Sequence, residues 1–467
     1  MIRTILLGML LTTAVRADDP WATYRGNPQR TGNTDGMAIP DSPKVLWAIK
    51  SNDHFIAAPV PVGENLYLSR LGAFNQPHLG LFPRTAAGEP KAVWSKAVPY
   101  LRLASVSSPA VSGNLIVFGD GMHQDAGGVL HGLAVNTGRP LWQLTMPGDL
   151  THLEGAPTIA GGKVFMGGGA AGAFCVDPTS LTLDGKPVAA AVVPQLQEAK
   201  WKELQAQYEA EKKKDPALAV PPSEDQLLKP MPKVVWQKGA VKWHVDAPVC
   251  VAGDKVLVAT SLLEKEKVGE RALYCLNAAS GEQLWTAPLK LNPWGGASVV
   301  GDTVVISGST IGYYYAQLKG AKGDVSAFDL KTGAPKWRKE VPGGVVGCVA
   351  LTDELAVCTA SDGKVRAFAL ADGERRWLYD AKTPIFAPPA VAGGGVYVGD
   401  LSGAIHAIDL KTGNGKWTLD LGKDPATQSP GMVYGGPTIA DGKLFIATCN
   451  LEGPLARKPT FVACVGK

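Results

Sequence analysis

Two short segments carry the same pair of reactive groups. His152-Leu-Glu154 and His244-Val-Asp246 each place an imidazole two residues before a carboxylate. Side chains alternate along extended chain, so both members of a pair face one way. Imidazoles beside carboxylates can bind a divalent cation or move protons near neutral pH. Other reactive patterns are missing. Gly167-Gly168-Gly169 follows an apolar run, but no Lys-Ser/Thr follows it, so it reads as a turn. There is no Gly-x-Ser-x-Gly elbow and no His-Glu-x-x-His helix. His406, inside the run Ile405–Asp409, reads as packing. No residue is assigned to catalysis and none to a metal.

What must position these groups is a repeat. Ala327-Phe-Asp329-Leu-Lys-Thr-Gly333-Ala-Pro-Lys-Trp337 and Ala407-Ile-Asp409-Leu-Lys-Thr-Gly413-Asn-Gly-Lys-Trp417 are two copies of one template. Further copies close on Trp142, Trp285 and Trp377, with a looser one at Gly88 and Trp94. Another begins at Cys175-Val-Asp177 and is interrupted before Trp236. The acidic residue and Gly bracket a hairpin turn that needs positive φ. The Trp can then cover a neighbouring repeat's turn while its N–H seeks a carbonyl. A second signature, small-Pro-small before an alternating strand, recurs eight times, as at Ala387-Pro-Pro389.

Repeats of ~40–50 residues with this pattern predict blades of a propeller. The expected fold is all-β: an eight-bladed β-propeller of four-stranded antiparallel blades with docking tryptophans at 94, 142, 236, 285, 337, 377 and 417, or a seven-bladed one if the loose copy at Gly88 and Trp94 is not a blade. The eighth copy ends at Thr460–Lys467 without its outer strand. Lys44-Val-Leu-Trp47 supplies one, so an N-terminal strand should complete the last blade and remove an open edge. Trp142 and Trp236 lie about twice as far apart as Trp94 and Trp142, which places a helical insertion, 186–233, in blade three. Within it Gln195–Lys214 reads as a helix with Leu196, Ala199, Leu204 and Tyr208 on one stripe, ending in three lysines. The insertion is either a solvated helix on the propeller's flank or a docking arm for a protein partner.

Segments leading into the innermost strands converge at one mouth of a propeller's channel. Aligning them gives a ring with a polar arc, Arg102, His152, Glu154, His244 and Asp246, and an aromatic arc, Trp294, Phe386 and Tyr434. Together these eight are the candidate ligand-binding residues. The aromatic side could stack a planar ligand or a sugar. Tyr313-Tyr314-Tyr315 reads as the anchor of a long loop or as a recognition patch.

Met1–Ala17 has a basic start, a short apolar run and small residues at a cleavage point, and reads as a secretory signal peptide. Residues 18–43 then form an N-terminal strap and 44–467 the propeller. Cleavage places the protein in the periplasm or outside the cell, with no membrane span. Without the leader's two arginines, 44 basic residues stand against 42 acidic ones, which leaves no electrostatic footprint for nucleic acid. A monomer is expected. The seven cysteines lack Cys-x-x-Cys spacing and sit in apolar runs, so they read as buried hydrophobes. Cys449 and Cys464 form the one pair that could meet across the last hairpin.

The Ala-x-Asp-x-x-Thr-Gly-x-x-x-Trp template resembles the docking pattern of the pyrroloquinoline-quinone-type β-propeller repeat family. Trp21-Ala-Thr-Tyr-Arg25-Gly26 is similar to the opening of its exported bacterial members. That family includes quinoprotein dehydrogenases and a non-catalytic propeller of the outer-membrane β-barrel assembly machine. The dehydrogenases often carry adjacent cysteines and a Glu/Asn/Asp calcium set. Neither is matched here, nor is a lipid-anchoring cysteine. No cofactor is therefore assigned, although pyrroloquinoline quinone with Ca²⁺ stays open. The first reading is an exported, non-catalytic propeller that binds a protein, through the insertion or a propeller face, or a small ligand. A divergent quinoprotein oxidoreductase and a carbohydrate-binding propeller are the alternatives.

Overall fold

The computed structural model describes residues 21–34, 36–123 and 125–467. The expected signal peptide lies outside the described residues. Their strands form eight antiparallel sheets, seven of four strands and one of five. Blade seven shows the pattern, with Ala390–Ala392, Gly395–Gly399, Ala404–Asp409 and Gly415–Asp420 paired in chain order. In blade eight the order is Thr438–Ala440, Lys443–Ala447, Thr460–Gly466 and then Lys44–Ser51. The N-terminal strand pairs from Lys44↔Gly466 to Ser51↔Thr460, so the two ends of the propeller share one sheet. The eight-bladed fold and its closure match the sequence expectation.

The template's residues act as their types require. Asp329 Oδ1 accepts from the main-chain N–H groups of Lys331 and Thr332, and Asp409 does the same for Lys411 and Thr412. Gly333 then takes φ 74°. A Cβ there would stand 2.6 Å from the ring of Trp285, so the indole of one blade lies flat on the turn of the next. Trp94, Trp236, Trp285, Trp337 and Trp377 donate Nε1–H to Val135, Ala278, Leu330, Leu370 and Leu410 carbonyls at 2.8–3.0 Å. Trp142 and Trp417 depart from the expectation. Trp142 is buried but its Nε1 has no partner, because blade three carries its insertion where the turn would be. Trp417 packs on Tyr397, and the strands Thr460–Gly466 and Lys44–Ser51 of blade eight are not joined by a turn on which its indole could dock.

The strap occupies the channel. Carbonyls of Ala22, Pro28, Gln29, Thr31 and Gly32 accept from Val111, Val251, Val299, Leu351 and Val391 N–H, on the inner strands of blades two, four, five, six and seven. Arg30, wholly buried, reaches blade three through Ala156 O and Thr158 Oγ1 at 2.8 and 2.6 Å. Arg25 bonds Pro389 O in blade seven. A short polar segment thus becomes a hub, because its two guanidiniums supply donors to carbonyls facing the axis.

In the insertion, helix α1 (Val193–Lys214) lies on the flank of blades two and three. Its inward residues are Val193, Gln197 and Leu204. Leu196 and Ala199 face outward, which corrects the expected stripe. Gln197 takes the inward place because its amide bridges Pro140 O and Leu228 O at 3.0 and 2.8 Å. The insertion rejoins the blade through Met231–Lys238, so 231–233 already belong to an outer strand. All seven cysteines are buried and unpaired. Phe445, not Cys449, opposes Cys464, which puts the two sulfurs in different packing groups.

Candidate functional site

One mouth of the channel opens into a cavity of about 990 Å³, reached from below by Tyr24 of the strap. Glu154, Asp246, Trp294 and Tyr434 line it, as the lead-in alignment predicts. His152 and His244 stand directly behind, fully buried and turned toward Asp246. Two of the eight expected residues fall outside. Arg102 is exposed, because its neighbour Leu101 takes the inward position. Phe386 is buried one layer down, its ring covered edge-on by Tyr313 at 6.0 Å.

That covering comes from the long loop of blade five. Tyr313 donates to Val346 O at 3.0 Å, in the lead-in to blade six. Tyr315 N–H donates to the Glu452 carboxylate in blade eight. The tyrosine run therefore spans the mouth from blade five to blade eight, and Tyr313 and Tyr314 join the aromatic wall. Of the two sequence readings of this run, the loop anchor describes Tyr313 and Tyr315. Tyr314, 52% exposed, is free to meet a ligand.

The polar arc gains a residue that the alignment misses. His123 follows the second strand of blade two, Leu115–Gly119, rather than leading into an inner strand. Its ring centroid lies 5.7 Å from that of His152 and 5.9 Å from that of His244, which are themselves 5.2 Å apart. The Glu154 carboxylate accepts from His123 N–H and fixes that loop. His152 Nε2 is hydrogen-bonded to Asp246 Oδ1 at 2.8 Å.

Charge follows from this geometry. Burial works against an ionised Asp246, but His152 and His244 outweigh it and hold its pKa low. Burial pulls His152 down, yet the Asp246 bond and charge raise it overall. Burial, then the charge of Asp246, pushes Glu154 up to about 7. Burial lowers His123. Around the cavity Glu154, Asp246, Glu264, Glu266 and Glu452 stand against Lys265 and Arg271. The mouth combines carboxylates with aromatic rings, a combination suited to cations.

A calcium–quinone pair fits this donor set poorly. Calcium takes about 6–8 oxygen ligands, whereas the cluster offers three imidazoles around one carboxylate. No cysteine lines the cavity, and its acids would repel a polycarboxylate ligand.

Comparison with known proteins places the chain. A family model described as "Outer membrane protein assembly factor BamB" matches residues 30–196, 230–312 and 271–453. An outer membrane protein assembly factor BamB of Nitrosomonas eutropha is 29% identical over 147 residues, covering 30% of this chain and 33% of that one. The chain thus spans about a third of the length of that curated relative in their alignment. The crystal structure of BamB from Moraxella catarrhalis aligns with 91% of this chain and 98% of its own at TM-score 0.57 and 15% identity. A quinohemoprotein alcohol dehydrogenase, ADHIIG, from Pseudomonas putida aligns with 96% of this chain and 80% of its own at TM-score 0.62 and 12% identity. Both structural likenesses concern the fold.

Proposed function

The chain belongs to the BamB-type family of β-propellers, and from that premise we propose an exported, non-catalytic propeller that binds its partner at the channel mouth. The observation that carries the proposal is the strap-floored cavity lined by carboxylates together with tyrosines and a tryptophan. Such a wall favours a positively charged ligand, either a small cation or a basic segment of a protein. The relatives named for outer membrane protein assembly support the protein.

Labelled peptides rich in Lys and Arg, and matched peptides rich in Asp and Glu, test this by fluorescence anisotropy. Basic peptides should bind, more weakly as salt rises, and Glu452→Gln should weaken them further. Equal binding of both peptide classes would overturn the reading. Pyrroloquinoline quinone with Ca²⁺ should give neither a saturable absorbance change nor dye reduction with alcohols or sugars. A positive result there would favour the oxidoreductase.

The insertion offers a second surface for a partner. Beyond α1, Leu218 and Val220 are 76% and 74% exposed. Deleting 186–230, which spares the outer strand that begins at Met231, should leave the propeller folded and remove a partner that docks there. If the same partner still binds, the insertion is not its docking arm.

A further inference from the structure

Among the described residues buried histidines meet aspartates at three places, and one of them is unlike the others. In blade two, His131 Nε2 lies 2.9 Å from Asp120 Oδ2, and its Nδ1 faces Gln143 Nε2 at 3.1 Å. In blade seven, His406 Nε2 lies 3.1 Å from Asp400 Oδ2, and its Nδ1 faces the Tyr379 hydroxyl at 3.1 Å. The two pairs hold equivalent places. Each Asp directly follows the second strand of its blade, and each His opposes the penultimate residue of that strand. One imidazole serves one carboxylate, and both ring nitrogens are satisfied. This is a structural device.

The mouth cluster breaks that pattern. His123, His152 and His244 crowd one carboxylate, with one ligand atom of each residue, Asp246 included, inside a span of 4.8 Å. His152 and His244 are 0% exposed and Asp246 7%. His244 Nε2 lies 2.9 Å from Asp246 Oδ1, the oxygen already bonded to His152, at an angle poor for a hydrogen bond of its own. Asp246 Oδ2 has no hydrogen-bond partner either. Buried polar atoms left without a partner are destabilising, so the arrangement asks for a group that all four side chains can share.

The rings are also held in place. Gly169, at φ 55°, lies against His152, and a Cβ there would stand 3.1 Å from His152 Cε1. Gly269, at φ 84°, backs His244, where a Cβ would meet the His244 Cβ at 2.9 Å. His123 is only half-buried and faces the cavity, which gives a path in from solvent.

We propose that His123, His152, His244 and Asp246 form a binding site for a first-row divalent transition metal, of which Zn²⁺ is the simplest example. Three imidazoles and one carboxylate suit such ions and do not suit calcium or magnesium. Bonds of ~2.0–2.2 Å at tetrahedral angles set ligand atoms about 3.4 Å apart. The two Nε2–Oδ1 separations, 2.8 and 2.9 Å, would open by roughly half an ångström to admit the ion. The four residues come from three lead-ins and loops on blades two to four, so the ion would also tie neighbouring blades together at the mouth. The inference concerns the mouth proposed above as a binding surface but does not need an organic ligand there.

Chelator-treated full-length protein titrated with Co²⁺ tests it, because tetrahedral cobalt absorbs strongly in the visible. One equivalent should bind with a saturable band that Zn²⁺ abolishes. His123→Ala touches the least buried ligand and should fold normally while weakening Co²⁺ at least tenfold. Asp246→Asn should lose the band. Asp400→Asn, on a satisfied structural pair, should keep it. A folded protein without a saturable band, or a titration unchanged in both His123→Ala and Asp246→Asn, would overturn the inference. Basic-peptide binding that survives such a result would leave the proposed function standing, so the two readings fail separately.

Discussion

The indole Nε1–H of Trp47 donates to the main-chain carbonyl of Arg84 at 3.2 Å. Trp47 sits in the N-terminal strand of blade eight, and Arg84 follows the third strand of blade one. The contact is the same indole-on-turn latch that joins the interior blades, made here across the seam where the ring closes. Arg84 strengthens it by reaching back to Asp441 in blade eight at 2.5 Å.

Trp47→Ala should therefore behave as a core truncation. Trp47 is 4% exposed and packs with Phe445, Val462 and Cys464. We expect a loss of about 3–5 kcal/mol in chemical denaturation. Trp417→Ala, which removes no latch, should cost less. Equal costs would mean that closure does not depend on this indole.

The strap should be as important as the seam. Arg30 places Nε, Nη1 and Nη2 on carbonyls of Val249, Tyr24 and Ala156 at 3.2, 2.6 and 2.8 Å. A lysine keeps the charge but cannot reach three directions at once. Arg30→Lys should cost about 3 kcal/mol, the scale of lost charge-assisted hydrogen bonds. It should also speed proteolysis within residues 21–43. Unchanged protease resistance would show that the main-chain bonds alone hold the strap.

How far the sequence could be read follows from where periodicity reaches. The Trp–Gly spacing repeats because each blade solves the same docking problem, so blade number and closure were legible. Glu154, Trp294 and Tyr434 share a repeat position, Asp246 stands one residue beyond it in its own lead-in, and all four line the cavity. His123 was not legible, because it sits in a loop of variable length that the repeat does not index. Arg102 failed for a local reason: Leu101 beside it fills the inward place. Phe386 failed for a distant one, since Tyr313 arrives from another blade to cover it. Only the three-dimensional arrangement shows three imidazoles around one carboxylate.

Acid should act on the Asp400 carboxylate of blade seven. Asp400 is 1% exposed; burial opposes its charge, but His406, Ser402 and Ala404 donate to it and hold its pKa below the usual value. A lowered folded-state pKa means the stabilisation is present above the unfolded value of about 4 and is lost as pH falls through the folded one. Asp400→Asn should therefore melt below the parent protein at pH 7. The gap should narrow as pH drops below about 4. A gap that is constant with pH would show that the Asp400 charge contributes nothing.

The helix of the insertion gives a local prediction. Gln197 is 0% exposed and carries three hydrogen bonds, to Pro140 O, to Leu228 O and from Leu228 N–H at 2.8–3.0 Å. No other side chain fastens both ends of the insertion to blade two in this way among the described residues. Two ion pairs also hold it, Lys96–Glu224 at 2.5 Å with the lysine buried, and the more exposed Arg139–Glu198 at 3.3 Å, which contributes less. Gln197→Ala leaves the Pro140 and Leu228 carbonyls without their donor and should cost about 1–3 kcal/mol in the local opening of α1. Amide exchange should accelerate across Val193–Lys214 while the blades keep their protection. If exchange speeds up throughout the propeller instead, the insertion is part of the cooperative core rather than an appendage laid on its flank.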